Sequence, residues 1–250
     1  MQHLSAYYES QDGGAAYHNV TAILDQIIFT SGDDIRVPEA IANVLGIAVL
    51  SGATTLTASR ISSPTLRQVA NPNIEPMVNA LVFGSYPEFN HFPLNPIKIS
   101  GNESVRCEIN SDHASAVGEY GLILLGDGQQ AAVNGDMFSV RFTAGITLAE
   151  GTWVNGALTF ESTLPDGRYQ VVGQRYVGTN LVAGRLVFPG QAFRPGAPAV
   201  NAAGDLDVPT FRFGRGGVFG EFDTNQPPTM DALGVTDTTQ SGILDLIKVG

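Results

Sequence analysis

The sequence of 250 residues contains a single cysteine, Cys107. One cysteine excludes an intrachain disulfide and a metal site built wholly from protein thiolates. The residues around it, Val105-Arg106-Cys107-Glu108-Ile109, alternate as in a β-strand, which predicts that the thiol points inward as a small hydrophobic group. Because no histidine lies beside it to act as a base, the sequence does not favour a nucleophilic role for this cysteine.

Basic residues are also scarce. Lysine and arginine number 13 against 24 acidic residues, which gives a formal net charge of −11. Only Lys98 and Lys248 are lysines, and no two basic residues are adjacent. We therefore expect no direct binding of nucleic acid, sequence-specific or otherwise, through a basic patch. The preference for arginine over lysine fits extensive subunit contacts, and a GC-rich genome would produce the same preference.

Long hydrophobic segments are missing. The N-terminus, Met1 to Ser5, has neither a charged region nor an apolar region of the secretory type, so we expect no secretory signal. The longest apolar stretch, residues 40–50, is interrupted by Asn43 and Gly46. A stretch of this length is too short to cross a bilayer.

The sequence is rich, by contrast, in short alternating segments separated by glycine, proline and asparagine, which predicts an all-β fold with few short helices. The clearest region is residues 152–190. We predict three strands there, forming an antiparallel meander. Pro165, Asp166 and Gly167 have the residue types of a turn between the first two strands, with a positive φ at the glycine. A second turn is expected at residues 178–180.

Two similar halves are predicted around a break at residues 127–136, where Gly126-Asp127-Gly128 and Asn134-Gly135-Asp136 cluster. Each half contains seven or eight short strands and a long proline-rich loop, and each ends in an apolar strand. The expected organisation is an N-terminal arm (residues 1–30) and two antiparallel β-sandwiches arranged as a tandem or double jelly roll (residues 31–130 and 131–250).

Recognisable catalytic motifs are lacking. The four histidines form neither H-x-H nor H-E-x-x-H, and the sequence contains no G-x-S-x-G or S-x-x-K. His91 and His113 are interpreted as loop and surface-turn residues. Two carboxylate pairs, Glu221 with Asp223 and Asp205 with Asp207, could act in a glycosidase or hold Ca²⁺, but solvated strand edges are the favoured interpretation. We therefore predict that the protein is not an enzyme, assign no catalytic residue and no cofactor, and leave any metal site undefined.

The sequence also resembles a known protein family, and the resemblance implies a function. The residues that carry it lie in 158–173, 183–190, 194–196, 217–222 and 226–228, with 55–67 adding to it. They resemble the major capsid proteins of small tailless icosahedral bacteriophages, which are of the double jelly-roll type. The resemblance implies a structural virion protein that assembles as a homotrimeric capsomer into an icosahedral shell.

The same resemblance implies a set of partners and a location. The partners are neighbouring capsomers and other virion proteins, such as penton and minor capsid proteins. The expected location is the virion capsid, assembled in the host cytoplasm, and an internal membrane beneath the shell is compatible with it. The N-terminal arm and the loop from Pro189 to Pro209 are the expected contact regions between subunits.

An alternative function also fits the pattern. A carbohydrate-binding or virion-associated receptor-binding β-sandwich would present exposed aromatic residues on a concave face. Trp153, Tyr169 and Tyr176 are the candidates for that face, although alternation places them on different sides of their strands.

Overall fold

The computed structural model describes residues 3–10, 16–23, 25, 28–51, 56–69, 73–74, 89–91, 94–111, 119–128, 133–178, 180–200, 216–234 and 239–250. In these residues the protein is all-β, as the sequence predicted, with curled sheets compatible with a β-sandwich or jelly roll. The helical elements described are one 3₁₀ turn, Glu39–Ile41, and one short helix α1, Pro64–Val69. The 3₁₀ turn follows Pro38, whose φ of −62° suits the start of a helical turn.

Strands β1 to β11 belong to the first half of the chain. They are His3–Ser10, His18–Ala22, Thr30–Ser31, Asp34–Arg36, Asn43–Ser51, Leu56–Ser62, Asn73–Ile74, Phe89–His91, Ile97–Lys98, Ser104–Ser111 and Glu119–Gly126. Strands β12 to β20 belong to the second half. They are Met137–Ala144, Val154–Ala157, Thr159–Phe160, Arg168–Val177, Leu181–Val187, Gly196–Val200, Gly220–Asp223, Thr229–Gly234 and Gln240–Lys248.

Each half forms its own sheet system. In the first half β1, β11, β5 and β8 are successive neighbours, while β10 lies between β6 on one side and β2 and β4 on the other. In the second half the two series are β12-β20-β15-β18 and β13-β19-β16-β17. Among the described strands, none pairs across the two halves. The exact domain limits expected at residues 30 and 130 stay a prediction.

The N-terminal segment contributes to the first sheet. Residues 1–30 were expected to form an arm, yet β1 pairs with β11 over eight positions, from His3 opposite Gly126 to Ser10 opposite Glu119. Strand β2 then pairs with both β1 and β10. Their sequences are rich in polar residues and so did not indicate strands; in β2, for example, buried Val20 and Ala22 alternate with exposed Asn19 and Thr21.

The predicted meander is wrong in its pairing, although its strands exist. Strand β15 pairs with β20, β18 and β17, and β16 pairs with β17 and β19, so β15 and β16 are not neighbours and β17 lies between them. Alternation reports which face of a strand is buried and does not identify its neighbour. The turn chemistry is confirmed at two positions, since φ is 147° at Gly167 and 59° at Asn180.

The loop expected from Pro189 to Pro209 is shorter than predicted. Gly196–Val200 forms β17, whose five residues are all buried. It pairs with β16 on one side and runs parallel to β15 on the other. Its glycine and proline content hid the strand, because both residues normally mark turns. Residues 201–209 lie outside the described residues.

Strand β11 is buried along its whole length. Ile123 and Leu125 point into a cluster made only of first-half residues, apart from the flanking Phe193. Tyr120, Leu122 and Leu124 join a larger cluster that includes most of the buried apolar residues of the second half. A strand covered on both faces needs a nearly continuous apolar sequence, and Leu-Ile-Leu-Leu supplies it. The face of β11 that carries Tyr120, Leu122 and Leu124 is thus packed against the second half.

Candidate functional site

A cavity of about 720 Å³ opens where the two halves meet. We call it the seam cavity and define it by six of its lining residues: Asp25, Trp153, Asn155, Arg185, Arg194 and Asp231. Asp25 follows β2 of the first half, whereas the other five belong to β13, β16, β19 and their flanking loops in the second half. The cavity is therefore built from both halves of the chain.

Arg185 is the central residue of the seam cavity. Its side chain is only 1% exposed. Nη1 donates to the Asp25 carboxylate, and Nε donates to Asp231 Oδ2 at 3.0 Å. Its guanidinium carbon lies 4.0 Å from the ring centroid of Trp153, in the geometry of a cation–π contact. One guanidinium thus joins a carboxylate of the first half to a carboxylate and an indole of the second.

Asp231 accepts hydrogen bonds from three side chains of the second half. Besides Arg185, its Oδ2 accepts from Arg194 Nη1 at 2.6 Å, and its Oδ1 accepts from Asn155 Nδ2 at 2.8 Å. The same amide nitrogen donates to Thr229 Oγ1 at 2.9 Å. Strand pairing explains this convergence, because Asp231 is directly opposite Asn155 on β13 and Arg185 on β16. The side chains therefore lie on one face of three neighbouring strands.

Two tyrosines lie behind this network. The Tyr7 ring meets the Trp153 ring edge-on, with centroids 4.9 Å apart and planes at 73°. Burial raises the pKa of Tyr7 well above its ordinary value, and the neighbouring Tyr176 adds to the shift while Arg185 opposes it. Burial likewise raises the pKa of Tyr176, helped by Asp231. Both phenols are thus neutral, and they serve as apolar support with a polar tip.

The predicted aromatic face is not formed. Tyr169 and Tyr176 are each 1% exposed. Their hydroxyls donate inward, to the Pro165 carbonyl at 2.6 Å and to Gln174 Oε1 at 2.7 Å. Trp153 is half-buried and lines the seam cavity. The structure therefore separates the three aromatic candidates and leaves one of them at a cavity.

The carboxylate pair Glu221 and Asp223 lies on β18, beside a smaller cavity of about 220 Å³. Hydrogen bonds from Gln170 and from Arg168, each 2.7 Å long, lower the pKa of Glu221. A carboxylate held in its ionised form lacks the proton that a general acid must give. Asp223 caps a local turn by accepting from the Asn225 backbone N–H. The second pair, Asp205 and Asp207, lies outside the described residues.

Cys107 points inward, as predicted, and is 1% exposed. Burial raises the pKa of its thiol to about 12, with Glu108 and Glu119 adding to the shift. At neutral pH the thiolate is therefore negligible. His113 lies outside the described residues, and His91 belongs to β8. His18, which the sequence did not single out, lies 2.6 Å through Nε2 from the fully buried Glu119 carboxylate.

The sequence alone does not predict the seam network, because its members are distant in the chain. Asp25 and Arg185 are 160 residues apart. One signal was present: Arg185 is the only charged residue in β16, Leu-Val-Ala-Gly-Arg-Leu-Val. A lone charge in a strand buried on both faces requires an opposite charge nearby. The partner itself could not be read from local pattern.

No protein-family model and no curated protein matches this chain. None of the helices that the structure describes is long and apolar enough to span a membrane. Within the described ranges there is also no group of three or more histidine, cysteine, aspartate or glutamate side chains positioned to hold a metal ion.

Proposed function

We propose that this chain is a structural virion protein, the major capsid protein of a tailless icosahedral virus, with a double jelly-roll fold. The observation that carries the proposal is a strand order that occurs twice in one chain. A jelly roll is an eight-stranded double sheet made of two Greek keys, and it recurs in viral capsid and lectin domains. Two of them in one chain of 250 residues make a compact building block for a shell.

The second half supplies the clearer example of this order. When its strands are numbered one to eight without the two-residue β14, the first series β12-β20-β15-β18 reads 1-8-3-6. The other series, β13-β19-β16-β17, reads 2-7-4-5. Consecutive strands therefore alternate between two facing layers except at the link from the fourth to the fifth, which is the arrangement of two interlocked Greek keys.

The first half repeats the order. With β3 and β4 counted beside β2 and β9 counted beside β8, the eleven strands reduce to eight, and the series β1-β11-β5-β8 reads 1-8-3-6. The series β2-β10-β6-β7 reads 2-7-4-5. The probability that two unrelated halves share such an order is small, because many other arrangements of eight antiparallel strands satisfy the same connection rules. The repeat supports two jelly rolls joined in tandem.

The charge distribution supports a role in the shell wall. Most described arginines are held by carboxylates within the chain, as in Arg60 with Glu108 and Arg106 with Asp34, at 2.7 and 2.8 Å. With a net charge of −11, such a surface does not gather phosphates. The proposed partners are two further copies in a homotrimer, neighbouring capsomers, and penton and minor capsid proteins. The proposed location is the virion, after assembly in the host cytoplasm.

The oligomeric state of the purified full chain tests this proposal. Light scattering during size-exclusion chromatography should give three times the chain mass of 26.4 kDa, and negative-stain microscopy should show trimeric particles or closed shells. Trimers should persist on dilution, because obligate interfaces of this type are large and apolar. A protein that stays monomeric at every concentration and salt condition would refute the capsid proposal.

A further inference from the structure

The seam cavity has the chemistry of a binding site, and this property does not depend on assembly. Its volume of about 720 Å³ lies within the ~300–1,000 Å³ that is usual for small-ligand sites. Three charged side chains in its wall are at least nine-tenths buried: those of Asp25, Arg185 and Asp231. Arg185 donates a hydrogen bond to each of the two carboxylates, and these bonds hold the three side chains in place. The wall is therefore already organised before any ligand arrives.

The charges of the side chains in the cavity wall sum to zero. An ionic ligand is therefore not the class that the cavity favours. Arg185 and Arg194 face Asp25 and Asp231, so two guanidiniums are matched by two carboxylates. Asp231 already accepts from three donors, which leaves it little capacity for a cation. Arg185 donates to both carboxylates, which neutralise its positive charge, so it attracts an anion only weakly. The cavity thus favours a ligand without net charge.

Several polar groups at the cavity wall can still form hydrogen bonds to a neutral ligand. Arg194 is one-fifth exposed and donates to Asp231 through Nη1 alone among the described residues, so its other N–H groups are still donors. Thr229 accepts from Asn155 and keeps its own hydroxyl proton to donate. Asn155 donates twice through Nδ2, which leaves its carbonyl oxygen as an acceptor.

Trp153 adds an aromatic surface. Arg185 lies over the indole and the Tyr7 ring is nearly perpendicular to it, so the ring is fixed, yet it stays half-buried and lines the cavity. A fixed aromatic ring offers a large contact area at little entropic cost. Beside it are donors and acceptors spaced over neighbouring strands. Vicinal hydroxyl groups with an apolar ring face complement such a surface.

We propose that the seam cavity binds a neutral oligosaccharide, with Trp153 stacking on a sugar ring and Asn155, Arg194 and Thr229 hydrogen-bonding its hydroxyls. A peptide fits less well, because a peptide also needs apolar pockets for its side chains. Val187 is the only aliphatic residue among the described residues that line the cavity. The site would give a shell protein a means of recognising a glycan surface.

Fluorescence gives a direct test, since Trp153 is the only tryptophan in the chain. The full-length protein is first screened on an array of neutral and acidic glycans together with unrelated peptides. Neutral trisaccharides of glucose and of N-acetylglucosamine are then titrated while the tryptophan emission is recorded. Saturable changes in emission, with saturation-transfer NMR signals on the same sugars, are the expected result.

Two variants and one control locate the site. Arg194→Gln and Thr229→Val each remove a donor that the network does not need for Arg185, and each should raise the Kd about tenfold. Thr159→Val, an exposed substitution on β14 in the opposite layer, should leave the Kd unchanged. Binding to no neutral glycan overturns the proposal, as does binding only to acidic glycans or peptides, or equal loss in the Thr159→Val control. Light scattering on the same samples keeps this outcome separate from that of the capsid proposal.

Discussion

Arg185 shows how much one buried side chain can determine. It is the largest side chain that the structure buries almost completely, and it is tolerated because two carboxylates and an indole surround it. Breaking a buried ion pair leaves the partners charged in a poorly solvating environment, which costs more than the pair itself contributes. Its role is therefore measured best by removing the guanidinium alone.

We expect Arg185→Met to lower the free energy of unfolding by about 3–5 kcal/mol, because Asp25 and Asp231 would stay buried without their common partner. Urea denaturation of the full chain measures the change. Arg168→Met is the matched control: Arg168 is 62% exposed and its partner Glu221 is 38% exposed. The exposed pair should contribute within about 1 kcal/mol. Equal losses in both variants would contradict the central role of Arg185.

Residue types alone gave part of this picture. Cys107 was correctly predicted to face inward, because its strand alternates without interruption. The seam network was not predicted, because Asp25 reaches Arg185 only through the packing of the two halves. Local sequence carries the information that a charge is buried, and tertiary packing decides what neutralises it.

At the scale of the strand, β20 is an inner strand of the second half, with a paired neighbour on each side. It lies between β12 and β15 and pairs with both along most of its length. Gly242 is opposite Phe142 on one side and Tyr176 on the other. The two rings approach edge-on with centroids 6.1 Å apart. The absent side chain at Gly242 leaves the space that the Phe142 ring occupies.

Gly242→Ala should therefore destabilise the protein by about 1–3 kcal/mol. Its Cβ would lie 2.2 Å from the Arg175 carbonyl oxygen and 2.5 Å from the Phe142 ring. Gly145→Ala is the control, since a Cβ there has no described atom within 4 Å. That change should stay within about 0.5 kcal/mol. Urea midpoints of the two variants against the parent decide the matter, and a neutral Gly242→Ala would show that β20 can shift away from β12.

The sequence predicted where several strands lie, but it did not predict which strands pair with each other. The strands at residues 168–177 and 181–187 were predicted from alternation and turn residues, and both are present. They are not neighbours, because β17 lies between them and pairs with both. Strands β17 and β19 were not predicted. The proline of β17 and the small residues of β19 give no period-two signal.

At the scale of the whole molecule, the two halves share a hydrophobic cluster. Tyr7, Leu122 and Leu124 of the first half lie in the same cluster as Phe142 and Leu186 of the second. Burial of this kind couples the two halves, because opening the seam would expose apolar surface on both sides. The chain should therefore unfold as one cooperative unit.

The single tryptophan makes this cooperativity measurable. Trp153 lies at the seam, whereas far-UV circular dichroism reports the strands of both halves. We expect the urea transition followed by Trp153 emission to coincide with the transition followed by circular dichroism. A fluorescence transition at clearly lower urea would show that the halves separate before they unfold, and would contradict the coupling.

The pairing of β1 with β11 has a consequence for synthesis on the ribosome. Tyr7 faces Leu122 across these two strands, more than a hundred residues later in the chain. The first half therefore cannot close its central sheet until residue 126 has left the exit tunnel, and such long-range closure is slow. The apolar side chains Tyr120 and Leu124 then stay bare until the second half has been translated and folds over them. The nascent protein thus passes through an interval in which the apolar surface that its own C-terminal half will later cover is exposed to other chains.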